Sequence, residues 1–386
     1  CMAKVTLDYN FAASKNIDGG ITAEETEELL EKARHGFAKL AELIQEKKVG
    51  FPALPYQDVD AIKTLAKDVY RKYNDMVIIG IGGSALGFEA IAEAMLPLGY
   101  NNLSFSDRRS FPRFWVLDNT DPSRVGSVMK YCKPEDTFVI AISKSGETVE
   151  TAANFVMVLD WMKKASVDIK KHVTVITDPA RGPLNAYARE AGLTMFPIEP
   201  SIGGRYSVLS PAGLLPAAIL GIDIDQLLSG AAAVVESDWK QFLVMTAVYM
   251  HYMDDKTINV FMPYCSKLSK FSEWICQLWG ESLGKQKASG EHFGTTPVRA
   301  YGAIDQHSQL QLYLDGPKDK FITFFGVNTH EHEAPLPGGV SPDYEYFSGK
   351  RLGELLNTEL KATEAALLLK ERPSMRLDIA SLSEAA

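Results

Sequence analysis

MVIIGIGGSALGFEAIAEAML, Met76 to Leu96, joins a strand, a turn and a helix without a break. Met76 to Ile79 is a short continuous apolar run, the pattern of a strand buried on both faces. Gly80, Gly82 and Gly83 then mark a tight turn, and from Ser84 the apolar positions take helical spacing. The same grammar repeats downstream. FWVLDN precedes the helical DPSRVGSVMKYC, TFVIAIS precedes GETVETAANFVMVLDWMKK, and HVTVITD follows. Short apolar strands alternating with helices predict βαβ units, hence a doubly wound, mostly parallel α/β sheet. A second series begins near Ile258. INVFMPY reads as a strand, KLSKFSEWICQLWGESLGK as a helix, KFITFFGV as a strand and RLGELLNTELKATEAALLLKE as the last long helix, followed by the strand-like SMRLDIASLS.

Upstream, Thr22 and Glu25 form a capping box, and Leu29, Ala33, Phe37, Leu40 and Ile44 recur at helical spacing, so the first ordered element is expected to be a helix. The expected organisation is an N-terminal helical segment, 1–50, and two similar α/β domains, 51–221 and 239–386, divided within 221–238. Asn328 to Gly349, rich in Pro, Gly and His, is the expected irregular region.

Composition narrows the function. The 386 residues carry a net charge of -9 without a long basic run, which speaks against nucleic acid. No apolar stretch is long enough to span a bilayer, and CMAKVTLDYN lacks the apolar run of a signal peptide. Cys1 before Met2 reads as a remnant of processing. Cys132, Cys265 and Cys276 form no C-x-x-C pair, so they are expected to be small core residues in a reducing compartment.

Five motifs can carry chemistry. Gly80 to Ala85 opens a helix after a strand, where glycines and unsatisfied N–H groups suit an anion. It also meets the loose dinucleotide fingerprint, but the acidic residue wanted about 20 positions on is missing. Ser143-Lys144-Ser145-Gly146-Glu147-Thr148 crowds three hydroxyls at a strand's carboxyl end. They can wrap a phosphate, or Ser145 or Thr148 can simply cap the next helix. Gly203-Gly204-Arg205-Tyr206-Ser207 brings a guanidinium beside a close backbone approach, with a surface ion pair as the plain alternative. Gln277 and Glu281 share a helix face, and a carboxylate set among Trp and Leu would be a better base; an exposed pair of Glu281 with Lys285 is equally compatible with the spacing. His307, in Asp305-Gln306-His307-Ser308, can act as an acid–base group or be an ordinary surface residue. His330-Glu331-His332-Glu333 looks like a metal site at first sight, but lacks a third well-spaced ligand and reads as a solvated loop.

Taken in order, GIGGSALG, ISKSGETVET, GGRYSVLSPAGLLPAAILGID, QLWGES and DQHSQLQLYLDGPKD resemble the bacterial type of the phosphoglucose isomerase family, from about Phe51 to about Lys370. That resemblance implies two sugar-isomerase (SIS) domains of flavodoxin-like topology. It implies a cytoplasmic homodimer working in glycolysis and gluconeogenesis, with a small sugar phosphate as its ligand and no cofactor, metal, nucleic acid or membrane. The reaction implied is interconversion of glucose 6-phosphate and fructose 6-phosphate through ring opening and a cis-enediol. Ser84, Ser143, Ser145 and Thr148 would hold the phosphate, helped by backbone N–H groups of Lys144 and its neighbours. Gly83, Gly204 and Gln277 would line the sugar. Glu281 would be the base, Arg205 would steady the enediolate, and His307, reaching in from the other subunit, would open the ring with Glu150 orienting it. The family carries a further lysine motif near its C-terminus that is not matched before Ala386, so a longer polypeptide is expected. Three rivals remain. A non-catalytic sugar-phosphate-binding regulator would not need Glu281, Arg205 and His307. An amidotransferase-type isomerase would need more than the short, helical residues 1–75. A bifunctional enzyme would also take mannose 6-phosphate.

Overall fold

The structure is a computed structural model that describes residues 5–385, so Cys1 lies outside the described residues. The chain divides into two compact units, one of residues Leu43–Ala232 and one of Cys1–Glu42 with Ala233–Ala386. In chain order the strands begin with β1 (Val5–Asp8), β2 (Asp75–Ile79), β3 (Arg113–Leu117), β4 (Thr137–Ser143), β5 (Val173–Thr177) and β6 (Thr194–Pro197). They continue with β7 (Ile258–Pro263), β8 (Lys285–Gln286), β9 (His292–Phe293), β10 (Thr296–Arg299), β11 (Lys320–Thr329) and β12 (Ser374–Ser381).

In the unit Leu43–Ala232 the sheet runs β3-β2-β4-β5-β6 with every neighbour parallel. Counted within the unit, that order is 2-1-3-4-5, the flavodoxin-like doubly wound arrangement. Its strands read as unbroken apolar runs because both faces are covered. Met76, Ile78, Phe138, Ile140 and Ile142 enter one core with Phe88, Leu214 and Leu215. Val77, Ile79, Val139 and Ala141 enter the other with Phe155, Val158 and Met162 from helix Val149–Lys164. Edge strand β3 is guarded. The Asn101 amide donates to the Phe114 carbonyl and accepts from its N–H, and Arg124 Nε donates to the Val116 carbonyl. These contacts occupy backbone groups that would otherwise template another strand.

The second unit repeats the order. Its sheet runs β1-β12-β11-β7-β10, so the four parallel strands again read 2-1-3-4, with β1 added antiparallel at one edge. β8 and β9 form a small antiparallel ribbon apart from it. The helix foreseen from the capping box is present as Ala23–Gln45, with the Thr22 hydroxyl accepting from Glu25 N–H and the Glu25 carboxylate accepting from Thr22 N–H. It is not the first element, however. β1 precedes it, made a strand by pairing with β12 some 370 positions away: Val5 lies opposite Ile379 and Asp8 opposite Arg376. Four residues with no turn signal give no local hint of this. The short strands β6 and β10, four residues each, also escape a sequence reading.

That pairing also builds a charge cluster. Arg376 is met by Glu364 of helix Leu352–Leu369, by Asp378 at 2.9 Å and by Asp8 at 3.3 Å. Three carboxylates share one guanidinium, and burial pushes Glu364 up to about 7 against the pull of Arg376, with Asp8 and Asp378 adding to the rise. A carboxyl raised in the fold binds its proton more tightly folded than unfolded. Its contribution is full below the unfolded value and lost as pH rises through the folded one. Between pH 4.5 and about 7 the parent is therefore expected to lose stability relative to Glu364→Gln. The loss should be at most on the order of 3 kcal/mol. Melting temperatures of the two proteins across that range test this, and a constant difference would refute it.

Candidate active site

In a doubly wound sheet, ligands bind outside the carboxyl ends of the strands, where the winding reverses. In the unit Leu43–Ala232 that point lies between β2 and β4. The segment after β2 holds Gly83 and Ser84, and β4 ends at Ser143. The geometry there is tight. A Cβ on Gly83 would stand 2.2 Å from the Gly204 carbonyl oxygen and 2.8 Å from the Arg205 nitrogen. Ser207, the last residue of the GGRYS motif and without a role in the sequence reading, holds this approach together. Its hydroxyl contacts the Gly83 carbonyl at 3.0 Å and the Gly204 carbonyl at 2.7 Å. So Gly83, Gly204 and Arg205 are neighbours, and the Arg205 guanidinium lies 4.5 Å from the centre of the Tyr206 ring.

The second loop folds around Ser143. Its hydroxyl accepts from Gly146 N–H and lies 3.1 Å from the Thr148 hydroxyl. Ser145 Oγ accepts from Glu147 N–H. Thr148 sits at the N-cap of helix Val149–Lys164, yet its side chain makes no capping bond. The plain capping explanation therefore does not account for this hydroxyl. Two further residues shape the turn. Thr177 donates to the Ser143 carbonyl at 2.7 Å, and Gly182, at φ +97°, leaves no room for a Cβ, which would stand 2.4 Å from the Ser145 carbonyl. Lys144 turns its ammonium to the Pro200 carbonyl at 2.9 Å, and burial lowers its pKa. Glu150 is half-buried in the first turn of the helix.

In the second unit, Gln277 and Glu281 lie on helix Ser269–Leu283, and the Gln277 amide donates to Glu281 Oε1 at 2.8 Å. Gln277 Oε1 is buried and has no hydrogen-bond partner among the described residues. Lys285 donates to the main-chain carbonyl of Glu281. The apolar setting expected for Glu281 is not found. Trp279 turns inward onto Tyr249 and Phe261, while Glu281, two positions on, is exposed.

His307 is exposed too, at the end of the turn Ile304–His307. It and Glu281 do not come together within this unit. Trp279 Nε1 donates to Thr295, the residue before β10, and Gly294 abuts the Leu283 carbonyl, so Glu281 sits at the amino end of the sheet. His307 follows the other end, where Gly302 N–H reaches the Pro263 carbonyl and Gln306 reaches Tyr264. The six residues of β7 separate those ends. At about 3.3 Å per residue that is roughly 20 Å.

The remaining sequence candidates carry less. Glu331 and His332 are exposed as expected and Glu331 pairs with Lys267 at 2.6 Å, but His330 and Glu333 are half-buried, so the loop is solvated only in part. Among the described residues no group of three or more His, Cys, Asp or Glu could hold a metal ion, and no helix is long and apolar enough to cross a membrane. Cys132 and Cys265 are buried and Cys276 is half-buried.

Comparison with known proteins gives this geometry its context. The family model described as Phosphoglucose isomerase matches residues 62–335. A glucose-6-phosphate isomerase of Carboxydothermus hydrogenoformans is 39% identical over 361 residues, covering 89% of this chain and 77% of that protein. One from Rubrobacter xylanophilus is 38% identical, covering 99% of this chain and 88% of its own. Among solved structures, a hypothetical protein from Thermus thermophilus superposes with a TM-score of 0.87 at 33% identity, covering 99% of this chain and 90% of that one. Likeness of this extent, in sequence and in fold, means that the chain belongs to the phosphoglucose isomerase family.

Proposed function

We propose that this protein interconverts glucose 6-phosphate and fructose 6-phosphate by moving one proton between C2 and C1. The observation that carries the reading is the Ser143–Thr148 loop at the carboxyl end of β4, where the Ser143 and Thr148 hydroxyls lie 3.1 Å apart, next to β2, whose following segment holds Gly83 and Ser84. Hydroxyls and main-chain N–H groups, including that of Lys144, bind the 6-phosphate there. Gly83 and Gly204 bring backbone close to the sugar. Gln277 Oε1, buried without a donor among the described residues, accepts from a sugar hydroxyl.

His307 moves a proton between the ring oxygen and a hydroxyl to open the ring, with Glu150 orienting it. Glu281 removes the proton on C2, Arg205 offsets the negative charge of the cis-enediolate, and the same carboxyl returns the proton to C1. A positioned acid or base contributes roughly 10²–10⁴-fold, and directed charge a comparable factor. The opposite-end placement of Glu281 and His307 supports a homodimer in which each site takes its histidine from the partner subunit. The setting proposed is cytoplasmic sugar metabolism.

Incubation of fructose 6-phosphate with the purified protein in heavy water tests the reading. The expected product is glucose 6-phosphate carrying deuterium at C2. Absence of conversion, or conversion without any solvent deuterium, would count against a proton-transfer isomerase.

A further inference from the structure

We propose that Tyr264 and Thr363 are positioning residues for His307, acting through the side chain of Gln306; this deepens the reading that His307 opens the sugar ring. The Gln306 amide donates to Tyr264 Oη at 2.6 Å and to Thr363 Oγ1 at 2.7 Å. Tyr264 Oη donates to Thr363 Oγ1 at 2.8 Å, and Thr363 Oγ1 donates to the Glu359 carbonyl at 2.9 Å. The same amide nitrogen also lies 3.3 Å from the Glu359 carbonyl, so its two hydrogens are shared among three acceptors, while both hydroxyl protons are assigned. Thr363 accepts twice and gives once, which fills its hydrogen-bonding capacity. Tyr264 is fully buried and Thr363 is 4% exposed.

A buried set of this kind is costly unless every member is paired, and when paired it fixes one arrangement. What it fixes is the backbone next to His307. On the far side Asp305 accepts from Tyr301 N–H at 2.6 Å and from the Ser308 hydroxyl. Below the turn, Gly302 presses so closely on the Tyr264 ring that a Cβ would stand 2.3 Å from it. The turn is clamped on both sides of His307 while the imidazole remains exposed. A packing role alone would be met by apolar side chains. Catalysis, in contrast, is sensitive to small displacements, and a shift of about 1 Å can cost roughly 10²-fold.

Two substrates separate positioning from general damage. Fructose 6-phosphate must be opened before isomerisation. 5-Deoxyfructose 6-phosphate lacks the hydroxyl that closes the furanose ring, and its C6 oxygen is esterified, so it is always open. Thr363→Val is expected to lower kcat on fructose 6-phosphate by roughly 10–100-fold. KM should change little, turnover of the 5-deoxy compound should be unchanged, and Thr363→Ser should restore the parent value. Tyr264→Phe serves as a second variant should Thr363→Val fold poorly. Equal losses on both substrates, or no loss on either, would overturn the positioning role. His307→Ala distinguishes failure of the underlying reading: if it slowed both substrates alike, His307 would not be the ring-opening group.

Discussion

Glu281→Gln is expected to abolish proton transfer while leaving substrate binding nearly intact. The amide has the size and shape of the carboxylate and lies on the same exposed helix face, but it cannot accept the C2 proton. The loss should be at least about 10³-fold in kcat, within the range for a positioned base. KM should move little, because the proposed phosphate-binding residues are others. The Gln277 amide, which donates to Glu281 Oε1 at 2.8 Å, can donate to the new amide oxygen in the same way, so the helix end should keep its geometry. Exchange of the C2 hydrogen with heavy water reads the step directly. Exchange at the parent rate in this variant would move the base elsewhere. The exposed position of Glu281 is compatible with the role if the reacting sugar itself covers the carboxylate.

The two sheets were legible because their inner strands carry the signal of complete burial. Asp75–Ile79 and Thr137–Ser143 are buried at every position, their inner stretches Met76 to Ile79 and Phe138 to Ile142 contain nothing polar, and the glycine turn and helix after each fix the unit as βαβ. Strands at the margins were not legible. Val5–Asp8 has no residue below intermediate exposure, and its identity depends on β12 at the far end of the chain. Site residues divide in the same way. The Ser143–Thr148 and Gly203–Ser207 motifs could be picked out because three hydroxyls within six residues, and a guanidinium directly after paired glycines, stand out even among turn residues. The parts played by Ser207, Thr177, Tyr264 and Thr363 could not, since each is a common polar residue whose meaning comes from a partner distant in sequence. Spacing alone also misjudged the setting of Glu281. A tryptophan two positions away on a helix points to another side, and here it enters the core while the carboxylate faces out.

The pair Ser145→Ala with Thr148→Val is expected to weaken binding far more than chemistry. A hydrogen bond to a charged group is worth roughly 1.5–3 kcal/mol, so losing two costs about 3–6 kcal/mol. That corresponds to an affinity roughly 10²–10⁴-fold lower. The structure sets what else the change touches. Thr148 makes no capping bond to the helix it precedes, but its hydroxyl lies 3.1 Å from that of Ser143, so replacing it by a methyl removes that one contact and should lower the melting temperature only modestly. Ser145 accepts from Glu147 N–H at 3.1 Å, so its loss loosens one turn but leaves the Gly146 N–H bond to Ser143 in place. A melting curve of the double variant separates a binding defect from unfolding. The measurement is titration with 6-phosphogluconate, a stable open-chain analogue, alongside kcat at saturating fructose 6-phosphate. The dissociation constant should rise steeply while kcat stays within a few-fold of the parent. Unaltered binding of 6-phosphogluconate would place the phosphate outside this loop. A large fall in kcat with unaltered binding would instead mean that these hydroxyls act on the reacting carbons rather than on the phosphate.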